Sequence, residues 1–125
     1  MRYVYNKLVR DKIPENISSS GRKCNYKILN DKDYLQELDN KLFEEAHEFV
    51  EEHSVEELAD LIEVVSAIMK CRNISLDDVN RARQFKNSKN GSFNDRVFLV
   101  DVEQNTANER ESIELKKDWR KNPRK

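Results

Sequence analysis

The sequence predicts a mainly α-helical fold, an antiparallel helical bundle with short extended pieces near both ends. Glycine and proline are scarce, with two of each among 125 residues, and this composition disfavours a turn-rich β fold. Two long stretches repeat apolar residues every three or four positions, which is the period of an amphipathic helix. The connection between these stretches is so short that the two helices must run antiparallel.

The overall composition indicates one domain with a small core. Apolar residues make up 37% of the chain and charged residues 38%, so a heavily charged surface is expected. A chain of this size gains burial by associating with itself, and we expect a homodimer or a higher homo-oligomer. The formal net charge of −1 implies no bulk attraction to nucleic acid or to a membrane.

The cysteine content and the chain start bear on the cellular compartment. Cys24 and Cys71 are the two cysteines, and they form neither a C-x-x-C motif nor a disulfide framework. The N-terminus is charged and lacks the apolar centre of a signal peptide, and no apolar run is long enough to cross a bilayer. We therefore expect a soluble, cytoplasmic protein without a membrane segment.

The first predicted elements are short. Asp11 is a suitable cap for a helix over residues 12–19, where Pro14 falls in the first turn and its missing N–H does no harm. Gly21 is a suitable helix stop. Alternation of apolar and polar residues then predicts a short extended piece containing Cys24, Tyr26 and Ile28.

Three longer helices are predicted next, at residues 33–52, 55–72 and 76–87. Asp33 opens the first of them, and Ser54 and Ser75 are suitable caps for the other two. The first long helix carries a continuous apolar stripe made of Leu35, Leu38, Leu42, Ala46 and Phe49.

The C-terminal part is predicted to leave the bundle. Residues 97–102 have the composition of a strand, and we place the end of the helical domain at residue 102. Residues 103–125 form a polar tail that ends in KKDWRKNPRK. A solubilising tail is the favoured interpretation, and a nucleic-acid contact with Trp119 stacking on a base is the alternative.

Four carboxylates fall on the inner sides of the two longest helices. At 100° per residue, Glu45 and Glu48 form a ridge along one edge of the first apolar stripe. Glu57 falls inside the apolar arc of the next helix, and Asp60 lies at its rim. Folding the two faces together crowds like charges, which is unfavourable unless protons or cations lie between them. An all-oxygen cluster suits a hard ion, Mg²⁺ or Mn²⁺.

Two other interpretations of these acids remain. Ser54-Val55-Glu56-Glu57 is a capping box, in which Glu57 would bond back to the backbone of Ser54 and have no further role. Glu44 and His47 form an E-x-x-H motif of the kind found in di-iron bundles. That architecture needs two such motifs and the second is absent, so His47 is expected at the surface.

The acidic motifs resemble a known family. Glu45-Ala46-His47-Glu48 followed by Glu57-Leu58-Ala59-Asp60 is similar to the ExxE and ExxD signature of MazG-type all-α nucleoside triphosphate pyrophosphohydrolases, as is Lys41-Leu42-Phe43-Glu44-Glu45. The opening YNKLVRDKIP at residues 5–14 and the GSF at residues 91–93 resemble a small branch labelled phosphoribosyl-ATP pyrophosphohydrolase-like. The resemblance covers residues 3–100, and the gap between the two acidic motifs is shorter here than in larger MazG proteins.

The resemblance implies an Mg²⁺-dependent enzyme that cleaves a nucleoside triphosphate to the monophosphate and pyrophosphate. Its metal ligands here are Glu45, Glu48, Glu57 and Asp60. Glu44 and Glu45 are the catalytic candidates, with Glu44 either an outer partner of the site or the base that takes a proton from water.

Binding of a triphosphate also needs cationic side chains. The candidates are Lys7, Arg10, Lys12 and Lys86. Neither a P-loop nor a GxGxxG motif is present, which argues against those nucleotide sites. Two alternative functions are a phosphoribosyl-ATP pyrophosphohydrolase and an inactive helical module for binding or dimerisation.

Overall fold

The structure, a computed structural model, describes residues 1–103 of the chain. It is mainly helical, which confirms the predicted class. Its four helices within these residues are α1 (Ile13–Ser19), α2 (Asp31–Glu52), α3 (Val55–Cys71) and α4 (Leu76–Asn90). The predicted polar tail lies outside the described residues, except for Glu103.

The chain divides into two units, Met1–Lys89 and a second unit that begins at Asn90. The described part of the second unit contains turns and irregular chain. Neither the segment around Tyr26 nor residues 97–102 forms a strand in the part of the chain that the structure describes, so the predicted extended pieces are not confirmed. A strand needs a neighbour that accepts its backbone hydrogen bonds, and side chains such as Ile28 and Val97 are exposed.

The first helix is short and ends as predicted. It begins at Ile13, and Lys12 at the N-cap makes no side-chain cap hydrogen bond, so the predicted Asp11 cap is wrong. Gly21 adopts φ +85°, a conformation in which its N–H bonds Ser18 O at 3.0 Å and the next N–H bonds Ile17 O at 3.3 Å. This pattern is a Schellman motif, and glycine adopts the required positive φ without steric cost.

Helix α2 begins two residues before the predicted start. Asn30 is its cap, and the Asn30 side chain accepts a hydrogen bond from the Asp33 N–H at 2.8 Å. The helix ends at Glu52, where His53 takes a left-handed conformation with φ 52°. The His53 N–H bonds Phe49 O at 2.6 Å, and the two rings meet edge to face at 5.2 Å.

Helices α2 and α3 form an antiparallel hairpin with a joint of only two residues. Ser54 caps α3 as predicted, because its Oγ accepts from the Glu57 N–H at 3.2 Å. At the far end of the hairpin, Arg72 lies 3.6 Å from Asp39 of α2. The buried apolar residues of the described chain are Leu38 of α2, which is 2% exposed, and Val64 of α3, which is 9% exposed.

Helix α4 packs little against the other described residues. Ser75 caps it as predicted, with its Oγ accepting from the Asp78 N–H at 3.0 Å. The helix runs to Asn90, three residues beyond the predicted end, and buries no residue.

Within residues 1–103, none of the helices combines the length and the apolar character needed to span a membrane.

Candidate functional site

Three carboxylates from the two arms of the hairpin come together near its joint. Glu45 comes from α2, and Glu57 and Asp60 come from the first two turns of α3. One oxygen of each lies within 4.8 Å of an oxygen of both others. The two α3 residues share a face because they are three positions apart. The short joint brings that face opposite Glu45. We call these three residues the acidic trio.

The acidic trio is partly withdrawn from water. Glu45 has a relative exposure of 9%, and Glu57 and Asp60 are half-buried. Burial raises the pKa of Glu57, and the negative charges of Asp60, Glu48 and Glu45 raise it further. The folded protein therefore holds the Glu57 charge at a cost, which a bound cation would relieve.

The N-terminal segment supplies cations to the same region. Arg10 Nη2 donates to Asp60 Oδ1 at 2.7 Å, and Lys7 Nζ donates to Glu44 Oε1 at 2.8 Å. The hydrogen bond with Asp60 raises the pKa of Arg10, and the hydrogen bond with Glu44 raises the pKa of Lys7. Both side chains therefore remain charged at neutral pH.

A further cation, Lys41, lies between two of the acids. Its Nζ is 3.4 Å from Glu44 Oε1 and Oε2 and 3.4 Å from Glu45 Oε1, and only 16% of its side chain is exposed. Burial alone would raise the pKa of Glu44, but Lys7 and Lys41 outweigh burial, and the pKa is lowered. Lys41 was not among the predicted site residues, although its spacing of three and four from the acids is a helix-surface pairing signal.

Five of these charged side chains border one surface depression of about 240 Å³. Its polar lining consists of Lys7, Arg10, Lys41, Glu45 and Asp60, and apolar side chains of the N-terminal segment complete it. Adjacent acidic and basic walls are the arrangement required to hold a cation beside an anion such as a phosphate.

Several predicted site residues lie elsewhere. Glu48 is exposed and outside the trio, although its charge is near enough to raise the pKa of Glu57. Lys12 is exposed at the start of α1, and Lys86 is exposed on α4. Neither lysine borders the depression.

Glu57 and His47 are the residues on which the two alternative interpretations of the acids depend. Among the described residues, the Glu57 carboxylate makes no hydrogen bond back to Ser54. Its backbone N–H is capped, while a carboxylate oxygen lies with Glu45 and Asp60. His47 is exposed, 3.8 Å from Glu51, and takes no part in the trio.

The donor set fits a hard divalent cation. All three groups offer carboxylate oxygen, the ligand type that Mg²⁺ and Mn²⁺ prefer. Oxygens bound to one Mg²⁺ at about 2.1 Å lie no more than about 4.2 Å apart. Oxygens within 4.8 Å of one another are therefore at most about 0.6 Å beyond the widest separation that one Mg²⁺ allows.

Comparisons of the chain with protein-family models, with curated proteins and with solved structures find no match. The functional inference therefore rests on the geometry of the site and on the motifs in the sequence.

Proposed function

We propose that the protein is an Mg²⁺-dependent nucleotide pyrophosphohydrolase with a MazG-like helical fold. The observation that carries the proposal is the acidic trio, drawn from two helices. Two of its members, Glu45 and Asp60, line one depression together with Lys7, Arg10 and Lys41. Water attacks the α-phosphorus of the nucleotide. The bond between that phosphorus and the oxygen that bridges it to the β-phosphorus breaks. The products are a nucleoside monophosphate and pyrophosphate.

The acidic side chains have distinct tasks in this proposal. Glu45, Glu57 and Asp60 hold the cation, and exposed Glu48 adds negative charge beside them or contributes a further ligand. When bound, Mg²⁺ neutralises phosphate charge and makes water a better nucleophile. The ammonium groups of Lys7 and Lys41 attract the triphosphate to the same depression.

Glu44 acts as a positioning group rather than as the strongest base. Its carboxylate accepts hydrogen bonds from Lys7 at 2.8 Å and from Lys41 at 3.4 Å. These cations lower the pKa of Glu44, and a carboxylate with a lowered pKa accepts a proton from water less readily. Its main effect is to hold both ammonium groups at the rim of the depression.

Pyrophosphate release from a panel of nucleoside triphosphates and phosphoribosyl-ATP, with Mg²⁺ present, tests the activity. We expect release from at least one nucleotide and a loss of about 100-fold or more in Glu45→Gln. Asp78→Asn is the matched control, since Asp78 is an exposed acid in the first turn of α4, and it should retain full activity. Release from no nucleotide, or equal activity in both variants, contradicts the proposal.

A second copy of the chain is the proposed partner for an apolar face of α3. Leu58, Ile62 and Val65 are exposed and lie on one side of the helix, roughly opposite Val64 at 100° per residue. The described residues include only two buried apolar residues, Leu38 and Val64. Pairing two such faces would bury apolar surface that the single chain leaves exposed.

Sedimentation of the full chain tests this association. The wild type should sediment as a dimer or larger species, and Ile62→Glu should shift it towards the monomer because it places a charge in the paired face. Val50→Glu on α2 is a control of similar exposure outside the α3 face. A monomeric wild type overturns the proposal.

A further inference from the structure

The N-terminal segment, residues 1–12, crosses the hairpin without forming a helix. It is tied there by Lys7 to Glu44 and by Arg10 to Asp60, pairs that span 37 and 50 positions of the chain. Leu8 and Ile13, which lie before and after Arg10 in the sequence, are half-buried. These two side chains are therefore partly withdrawn from water, while the Arg10 side chain is 59% exposed.

The Arg10 contact involves a group that the proposed cation also requires. Asp60 Oδ1 accepts from Arg10 at 2.7 Å, and Asp60 is a member of the acidic trio. A guanidinium at that distance and a divalent ion on the same carboxylate repel each other. Arg10 thus serves as the counter-ion of Asp60 when no metal is bound.

We propose that a divalent cation displaces Arg10 from Asp60, and that the displaced guanidinium then binds a phosphate of the nucleotide. This inference rests on the proposed function and adds an order of binding, with the metal before the nucleotide. Planar guanidinium groups bind phosphate through two parallel hydrogen bonds. The exchange converts Arg10 from a competitor of the metal into a ligand of the substrate.

Lys7 provides a matched contrast. It carries the same charge on the same segment, and the charges of Glu45 and Glu48 contribute to its raised pKa. Its hydrogen-bond partner, however, is Glu44, which lies outside the trio. Metal binding should therefore leave the Lys7 contact in place. A variant of Lys7 removes the same charge as a variant of Arg10, so comparing the two separates an effect of net charge from direct competition between Arg10 and the metal.

Chemical modification by phenylglyoxal, read by mass spectrometry, tests the exchange in the full chain. Saturating Mg²⁺ alone should raise the modification rate of Arg10 severalfold, and further addition of pyrophosphate should lower it again. Arg72 is the internal control, since it pairs with Asp39 at 3.6 Å at the other end of the hairpin. Its rate should stay constant throughout.

Titration calorimetry with Mg²⁺ supplies the second measurement. Arg10→Gln should bind Mg²⁺ more tightly, on the order of tenfold, and Lys7→Gln should gain far less. In the presence of Mg²⁺, Arg10→Gln should bind pyrophosphate more weakly than the wild type.

The outcomes separate the two proposals. Absence of Mg²⁺ binding to the wild type overturns the proposed function and this inference together. Mg²⁺ binding without a rise in Arg10 modification, or with equal gains in Arg10→Gln and Lys7→Gln, overturns only the exchange. A rise that pyrophosphate does not reverse overturns the phosphate-binding role of Arg10.

Discussion

Helices α3 and α4 begin with the same local chemistry and differ in what faces them. Ser54 and Ser75 each cap their helix through a hydrogen bond from the third following N–H, at 3.2 and 3.0 Å. Glu57 and Asp78 occupy the equivalent third positions. Asp78 is exposed and pairs with Arg81 at 2.5 Å on its own helix, whereas Glu57 is half-buried among the carboxylates of two helices.

The contrast shows that a capping sequence defines a helix start and does not by itself define a site. The same S-x-x-[DE] pattern produces both starts. What distinguishes α3 is the presence of α2 across a two-residue joint, which places Glu45 beside the capped turn. Paired substitutions in the two helices test this distinction.

The largest effect is expected in the packed hairpin. Leu38→Ala should lower the free energy of unfolding by about 2–5 kcal/mol, because Leu38 is only 2% exposed and its truncation leaves a cavity. Phe85→Ala on α4 should change it by about 0.5 kcal/mol or less, because Phe85 is exposed. Urea unfolding followed by circular dichroism measures both, and equal losses would contradict the contrast.

The next effect concerns metal-dependent stability. At a Mg²⁺ concentration ten times the Kd, a site present only in the folded protein adds about 1.4 kcal/mol and raises Tm. We expect Glu57→Gln to lose this rise and Asp78→Asn to keep it. Thermal melts with and without Mg²⁺ measure this rise in Tm. A rise in Tm that persists in Glu57→Gln argues against the trio as the binding site.

Removing each of the two serine caps should lower the stability of the protein by a different amount. Ser54→Ala should cost about 1 kcal/mol of global stability, since α3 belongs to the packed hairpin. Ser75→Ala should fray α4 and reduce helical ellipticity, with a smaller shift of the unfolding midpoint, because α4 buries no residue. Midpoint shifts of the same size would show that α4 unfolds with the hairpin.

The smallest effect is a pH dependence of the metal-free protein. The pKa of Glu57 is raised above its usual 4.5, so the folded state binds this proton more tightly, and stability should rise as pH falls from neutral towards 4.5. The pKa of Glu44 is lowered below 4.5, so its contribution is present above that pH and is lost below it. Tm measured against pH should pass through a maximum. Glu57→Gln should flatten the part of this curve that lies at pH values above the maximum.

The local features were predictable because local chemistry decides them. Ser54, Ser75 and Gly21 were identified from the preferences of helix ends, and the apolar period placed α2 and α3. The start of α2 was missed because Asn30 and Asp33 are both good caps, and the structure selects Asn30. The strand predicted at residues 97–102 is not confirmed, because composition alone cannot supply the neighbouring strand that it needs.

The site was predictable only in part. Helical spacing placed Glu45, Glu57 and Asp60 on facing sides, and the structure brings these three together. Glu48, about 60° further round α2 than Glu45, is exposed. The Arg10 contact with Asp60 spans 50 positions, and no periodicity in the sequence reports a pairing of that range.

The two residues between α2 and α3 determine more than a change of chain direction. The connection consists of His53, with a φ of 52°, and Ser54, and two residues leave it little conformational freedom. The rotation of α3 about its own axis therefore follows from where α2 ends. One additional residue there, taken up as a further helical residue at the end of α2, would turn the start of α3 by about 100° and carry Glu57 and Asp60 away from Glu45. The length of this connection is therefore as much a determinant of the site as the three carboxylates themselves.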